Sequence, residues 1–148
     1  MGRLQLTKAS LRISGDELVP SEITRLLGCI PTYSYAKGDE IVGKNTGRTR
    51  IARFGMWLRA TAPCEPGNLD AQIAALLAEM TDDLNVWEAI TASCKVDMFC
   101  GLFMGRWNDG ESLSAASLFA LGSRHIELGL DIYGPDDNDP HSDIVDDE

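Results

Sequence analysis

Long apolar runs, secretion signals and clustered metal ligands are all missing from this chain of 148 residues, and each absence removes a class of protein. No stretch approaches the ~18 consecutive apolar residues of a membrane-spanning helix. The N-terminus lacks the charged, apolar and small-residue succession of a signal peptide. A cytoplasmic protein with no membrane partner is therefore expected. Histidine is scarce, with only His125 and His141. The four cysteines, Cys29, Cys64, Cys94 and Cys100, form no C-x-x-C pair. That spacing predicts neither a disulfide framework nor a zinc site, and it leaves reduced, mostly buried thiols.

Catalytic motifs are equally thin. Gly38 to Lys44 spells G-x-x-x-x-G-K, the start of a phosphate-binding loop. Asn45 stands where a magnesium-binding hydroxyl is needed, however, and no helical pattern follows, so the segment reads as a flexible loop. Asp136, Asp137, Asn138 and Asp139 have oxygens at calcium-loop spacing without the central glycine or the closing Glu. Cys94 or Cys100 could in principle face His125 across a sheet, but small thiols in apolar strands are usually core. No metal, cofactor or catalytic residue is assigned, and a non-enzymatic protein is expected.

What is present is an unequal distribution of charge. Residues 1 to 63 carry ten Lys and Arg against five Asp and Glu, a balance of +5, while the remainder carries three against eighteen, −15; together they give the net −10. Phosphate neutralisation requires cations, so the acidic balance argues against nucleic acid as ligand. It favours association with a basic protein instead.

The stretch Ser10–Pro31 specifies its own structure most fully. Ala9, Leu11 and Ile13 alternate with polar residues as in a strand buried on one face. After a turn at Gly15, Asp16 and Glu17, Pro20 suits the first helical position. Ile23, Leu26 and Leu27 share a helical face, and Gly28 can close the helix. Val19 makes a poor N-cap. From Thr32 to Phe54 a basic, glycine-punctuated segment reads as a long loop or irregular hairpin.

Alternation predicts strands over Phe54–Thr61, Lys95–Met104 and Ile126–Tyr133, the second of them central because both faces are apolar. Asn68 caps a helix with Leu69, Ile73, Leu76, Leu77 and Met80 on one side. A second helix is predicted over Asp83–Ser93. A third begins at Ser112 or Ser114, carries Leu118, Phe119 and Leu121, and ends near Gly122.

Strand, turn, helix, strand thus recurs from Ala9 to Thr61 and from Val96 to Tyr133. The expected fold is α+β: one mainly antiparallel sheet of four to five strands built from two split strand-helix-strand units, with the helices on one face. Residues 1–134 form a single domain. Residues 135–148 form an acidic tail with seven Asp and Glu and no Lys or Arg, and the composition predicts disorder there.

Pro20, Ile23, Thr24, Leu27, Gly28 and Pro31, then Trp57, then Asp131 and Tyr133 give the chain, from about Thr7 to Tyr133, a resemblance to a bacterial family designated domain of unknown function 4279. The basic segment Lys37–Arg53 and the acidic tail depart from the family pattern. The resemblance implies a single α+β domain and members of accessory or immunity type; it brings no activity, cofactor or catalytic residue.

Two functional expectations follow. The first is a cytoplasmic immunity protein that binds and neutralises a basic bacterial toxin domain by presenting carboxylates in place of phosphates. Its candidate residues are Asp82, Asp83, Glu88, Asp109, Glu111, Asp131, Asp136 and Asp137. The alternative is a small-ligand domain that holds an anion through Arg48, Arg50 and Arg53 of the basic loop beside Trp57 and Arg59, since Trp and Arg often dominate binding energy.

Overall fold

The computed structural model describes residues 2–135. The calcium-like run, Asp136, Asp137 and all of the expected tail except Pro135 lie outside the described residues. In chain order the elements are β1 (Gly2–Arg3), β2 (Leu6–Gly15), α1 (Pro20–Leu27), β3 (Tyr33–Tyr35), β4 (Glu40–Val42), β5 (Thr49–Ile51), β6 (Gly55–Ala60), α2 (Leu69–Ala78), α3 (Leu84–Ser93), β7 (Lys95–Phe103), β8 (Asp109–Gly110), α4 (Ala115–Ser123) and β9 (Glu127–Tyr133).

Five strands make one sheet in the order β3-β6-β2-β7-β9. The first three neighbouring pairs are antiparallel, and β7 pairs with β9 in parallel. The fold is α+β as expected, and the five-stranded sheet is mixed, with one parallel pair beside three antiparallel ones. A helical crossover returns the chain parallel to the strand it left. α4 does this between β7 and β9. α1 does the same between β2 and β3, because β3 and β2 are both antiparallel to the β6 that separates them. The strand closing the first unit is therefore the three-residue β3, which lies in the segment expected to be a long loop or irregular hairpin. β6 is inserted afterwards through the β4–β5 hairpin, where Glu40 pairs with Ile51 and Val42 with Thr49. The Gly38–Lys44 run occupies that hairpin, with β5 rather than a helix after it.

α1 forms as its residues dictate. Pro20 starts it without a side-chain cap from Val19, and Gly28 ends it at φ 76°, donating its amide to Thr24. Ile23 and Leu27 are buried, each contributing roughly 1.5–3 kcal/mol by leaving water. The other three helices have side-chain caps: Asn68 accepts from Ala71, Asp83 from Asn85 and Ser114 from Ser117. Ser114 also donates from its amide and hydroxyl to Asp70 at 2.9 and 3.1 Å, tying α4 to α2.

The core joins one face of the sheet to the helices. Ala9, Leu11 and Ile13 of β2, Trp57 of β6, and Val96, Met98, Cys100 and Leu102 of β7 form one cluster with Ile23, Leu27, Leu69, Ile73, Leu76, Leu77, Trp87, Ile90 and Leu121. On the opposite face of β2, Arg12 makes two bonds to Asp97, directly across on β7, at 2.9 and 2.7 Å. Its guanidinium lies 4.3 Å from the centre of the Phe99 ring.

A buried polar knot fastens α2 to the start of β2. Thr7 and Gln72 are both buried. The Thr7 hydroxyl donates to Gln72 Oε1 at 2.6 Å and accepts from the Asn68 amide at 3.0 Å. Gln72 Nε2 donates to Thr7 O, Thr61 Oγ1 and Ala62 O at 3.0, 3.2 and 3.1 Å. Replacing Gln72 by Leu strands these partners away from water. We expect Gln72→Leu to lower stability by about 1–3 kcal/mol in urea unfolding, with a neutral result excluding the knot as a structural tie.

Candidate functional site

The chain runs from α3 into β7 and from α4 into β9 at the same end of the sheet, since Asp97 on β7 is the register partner of Glu127 on β9. Between the two junctions lies an open cleft of about 500 Å³ lined by Glu88, Thr91, Ala92, Cys94, Lys95, Val96, His125 and Glu127. Two carboxylates, one imidazole, one thiol and one ammonium meet there from two separate segments of the sequence, 88–96 and 125–127.

His125 reaches the cleft through an unusual backbone. α4 ends near Gly122 as expected, its last residue being Ser123. The His125 amide donates to Gly122 O at 3.1 Å and the Ile126 amide to Leu121 O at 3.0 Å. This is the paired-bond helix stop that normally places glycine in the left-handed position. His125 occupies that position, at φ 58°. The buried pair Leu121 and Ile126 supplies the apolar contact that accompanies such a stop. The sequence signal was available in the apolar residues flanking His125, but Gly122 offered a simpler terminus.

The cysteines divide by environment. Cys94 lines the cleft, and its sulfur lies 3.8 Å from Ser93 Oγ. Among the described residues no hydrogen bond joins it to His125. Cys100 is fully enclosed in the core, where burial first and the nearby Asp97 carboxylate second push its thiol up to about 12. Burial likewise raises the Cys29 thiol. No group of three or more His, Cys, Asp or Glu side chains able to hold a metal occurs among the described residues.

The acidic candidates fall into separate places. Asp82 and Asp83 are exposed ahead of α3, Asp83 also serving as its N-cap, and Glu88 is exposed on the same helix and reaches the cleft. Asp109 turns inward: its side chain is enclosed, Oδ2 accepts the amides of Gly105 and Arg106 at 2.8 and 3.2 Å, and Oδ1 lies 3.4 Å from Arg106 Nε. One Glu111 oxygen is buried without a hydrogen-bond partner. Asp131, on β9, accepts a 2.6 Å bond from the Tyr133 hydroxyl. Asp136 and Asp137 lie outside the described residues. Glu127, which shares the cleft with Glu88, escaped notice because it sits in an alternating strand and signals only solvent exposure there.

The cationic candidates also separate. Arg48, Arg50 and Arg53 are exposed on and after the β4–β5 hairpin, with Arg50 5.8 Å from the Tyr35 ring centre. Trp57 has no exposed surface, and its indole N–H donates to Thr24 Oγ1 at 3.1 Å, so it lines no surface pocket. Arg59 is committed to Glu79 at 2.6 Å and to the Ile30 carbonyl at 2.6 Å. The Trp57 indole and the Arg59 guanidinium are thus engaged within the fold, while the loop arginines stand exposed.

Comparison with known proteins yields one finding. A family model described as domain of unknown function (DUF4279) matches residues 5–135, in agreement with the resemblance carried by Pro20, Gly28, Trp57 and Tyr133. No curated protein and no solved structure matches the chain significantly.

Two measurements test this arrangement. His125→Gly relieves the left-handed strain and is expected to raise stability by roughly 0.5–1 kcal/mol in urea unfolding, net of the added freedom of the unfolded chain; destabilisation would show that the imidazole itself holds the junction. The thiol of Cys100 keeps its proton in the folded chain while the unfolded thiol loses it from ~8.5 upward. Its stabilising contribution is thus complete below that pH and lost as pH rises toward about 12. The fall in stability between these limits should be shallower in Cys100→Ala than in the natural chain.

Proposed function

Because the chain belongs to the DUF4279 family, whose description carries no activity, we propose from its geometry that it is a non-enzymatic binding protein of immunity type. It captures a basic toxin domain through the carboxylates at and around α3. The observation that carries this reading is the convergence of Glu88 and Glu127 on one open cleft, on the same helix that Asp82 and Asp83 precede. A lysine or arginine side chain of a partner inserted there meets two carboxylates against one native ammonium, Lys95. Exposed Asp82 and Asp83 extend the same sign of potential outward and steer the approach. Asp109 and Asp131 are occupied by internal contacts in this reading and serve the scaffold, and Glu111 has one oxygen turned inward.

The same reading takes the four helices to cover one face of the sheet, consistent with a core cluster that contains Ala9, Leu11 and Ile13 of β2 and none of its even-numbered residues. The carboxylates of α3 then stand on the helical side of the molecule.

Co-expression with the product of the adjacent reading frame tests the proposal. A complex is expected whose affinity falls steeply with salt and drops at least about tenfold in the double variant Glu88→Lys, Glu127→Lys, while Asp131→Asn binds as the natural chain does. A partner that ignores both salt and the double variant overturns the acidic-cleft reading, as does the absence of any complex.

A further inference from the structure

The outer edge of β9 is built for pairing. Its neighbour β7 lies on one side, and among the described residues no strand pairs with the other. Sheet edges are ordinarily blunted by shortness, proline, lysine or a bulge. The opposite edge follows that rule, since β3 has three residues. β9 has seven, Glu127–Tyr133, without proline or lysine. Two of its side chains on the face shared with the core, Leu130 and Ile132, are 50% and 59% exposed. Phe119, on the α4 helix that leads into this strand, is 75% exposed.

The hydrogen-bonding groups point outward in a defined order. Tyr133 accepts from the Met104 amide with its carbonyl, so its backbone faces β7. Along a strand the N–H and C=O groups of successive residues alternate in direction. Asp131, Gly129 and Glu127 therefore also face β7, and Leu128, Leu130 and Ile132 present N–H and C=O to the free edge.

We propose that two copies of this chain pair antiparallel through β9 about a two-fold axis at Leu130, joining their sheets into one. Only registers that oppose outward-facing residues to each other satisfy the backbone. With Leu130 opposite Leu130, Leu128 opposes Ile132 in both directions, and each pair exchanges both N–H···O bonds. On the other face Gly129 opposes Asp131 and Glu127 opposes Tyr133, so no like charges meet. Sliding one strand by two residues either way brings Asp131 against Asp131 or Glu127 against Asp131, which like-charge repulsion disfavours. Slides of four avoid like charges but leave part of the strand unpaired, so the full seven residues are self-complementary only with Leu130 at the centre, and that selects a second copy over a foreign strand. The apolar side chains Leu130 and Ile132 then face their counterparts across the seam, as the isologous contact of a two-fold dimer requires.

Sedimentation equilibrium of the full chain at micromolar concentration should give twice the chain mass. Leu130→Lys, at a half-exposed position, should leave the circular dichroism unchanged and weaken the dimer at least about tenfold. Oxidising Leu130→Cys should cross-link two chains beyond any product of the native cysteines, because Cα atoms in such a pair lie about 5.5 Å apart. Ile132→Cys should not, since four residues along the strands separate its two copies by roughly 13 Å. A monomeric natural chain, a dimer indifferent to Leu130→Lys, or equal cross-linking at both positions overturns the proposal. Should Leu130→Lys fail to fold, the contrast between the two cysteine variants decides.

Discussion

A strand bonded on both sides has one register, and β2 is held in its register by opposite demands on its two faces. Slipping it by a single residue against β6 and β7 would turn Lys8, Arg12 and Ser14 into the core and expel Ala9, Leu11 and Ile13. The apolar face alone would forbid this. The polar face adds a lock, because Arg12 meets Asp97 with two bonds and covers Phe99 only when the two strands are aligned as they are. Everything else hangs from this alignment. Thr7 must reach Gln72 for α2 to dock, Trp57 must enter the core beside Ile13 and find Thr24 on α1, and β7 must stand where β9 can join it.

The cleft is a by-product of the same geometry. A helix that ends beside a parallel strand pair leaves a hollow where its C-terminal half and the two strand starts diverge, and here α3, β7 and β9 do so. The sharp stop of α4 keeps that hollow open by sending the chain straight from Leu121 into β9, at the cost of a left-handed histidine. Thus one connection sets the edge, the cleft wall and the position of the one described histidine.

The residues of Ser10–Pro31 announce their structure because each acts locally: alternation, a proline at the helix start, a left-handed glycine at its end. Leu69, Ile73, Leu76 and Leu77 of α2 are equally plain, and all of them are buried, as is Met80 just past its end. Strand direction is another matter. Alternation along β7 and β9 would read the same whether they ran parallel or antiparallel, since period two contains no arrow. β3 escaped because three residues, two of them exposed, carry no periodicity at all. The fate of Trp57 and Arg59 was hidden for a different reason. Neighbours on one face of a strand look alike in sequence, yet one is enclosed against Thr24 and the other tethered to Glu79 and Ile30. Convergence of Glu88 with Glu127 depends on where two helices end, which neither segment records alone.

The pairing of β2 with β7 also orders events in time. Arg12 and Asp97 are 85 residues apart, so β2 emerges well before its second neighbour. Until β7 arrives, the longest described strand is satisfied on one side only. Contacts of such long sequence separation slow folding, so the N-terminal unit cannot complete itself ahead of the rest. The chain is thus committed to folding as a whole, and a nascent fragment ending before β7 would present on β2 the kind of open edge that the finished protein has moved outward to β9.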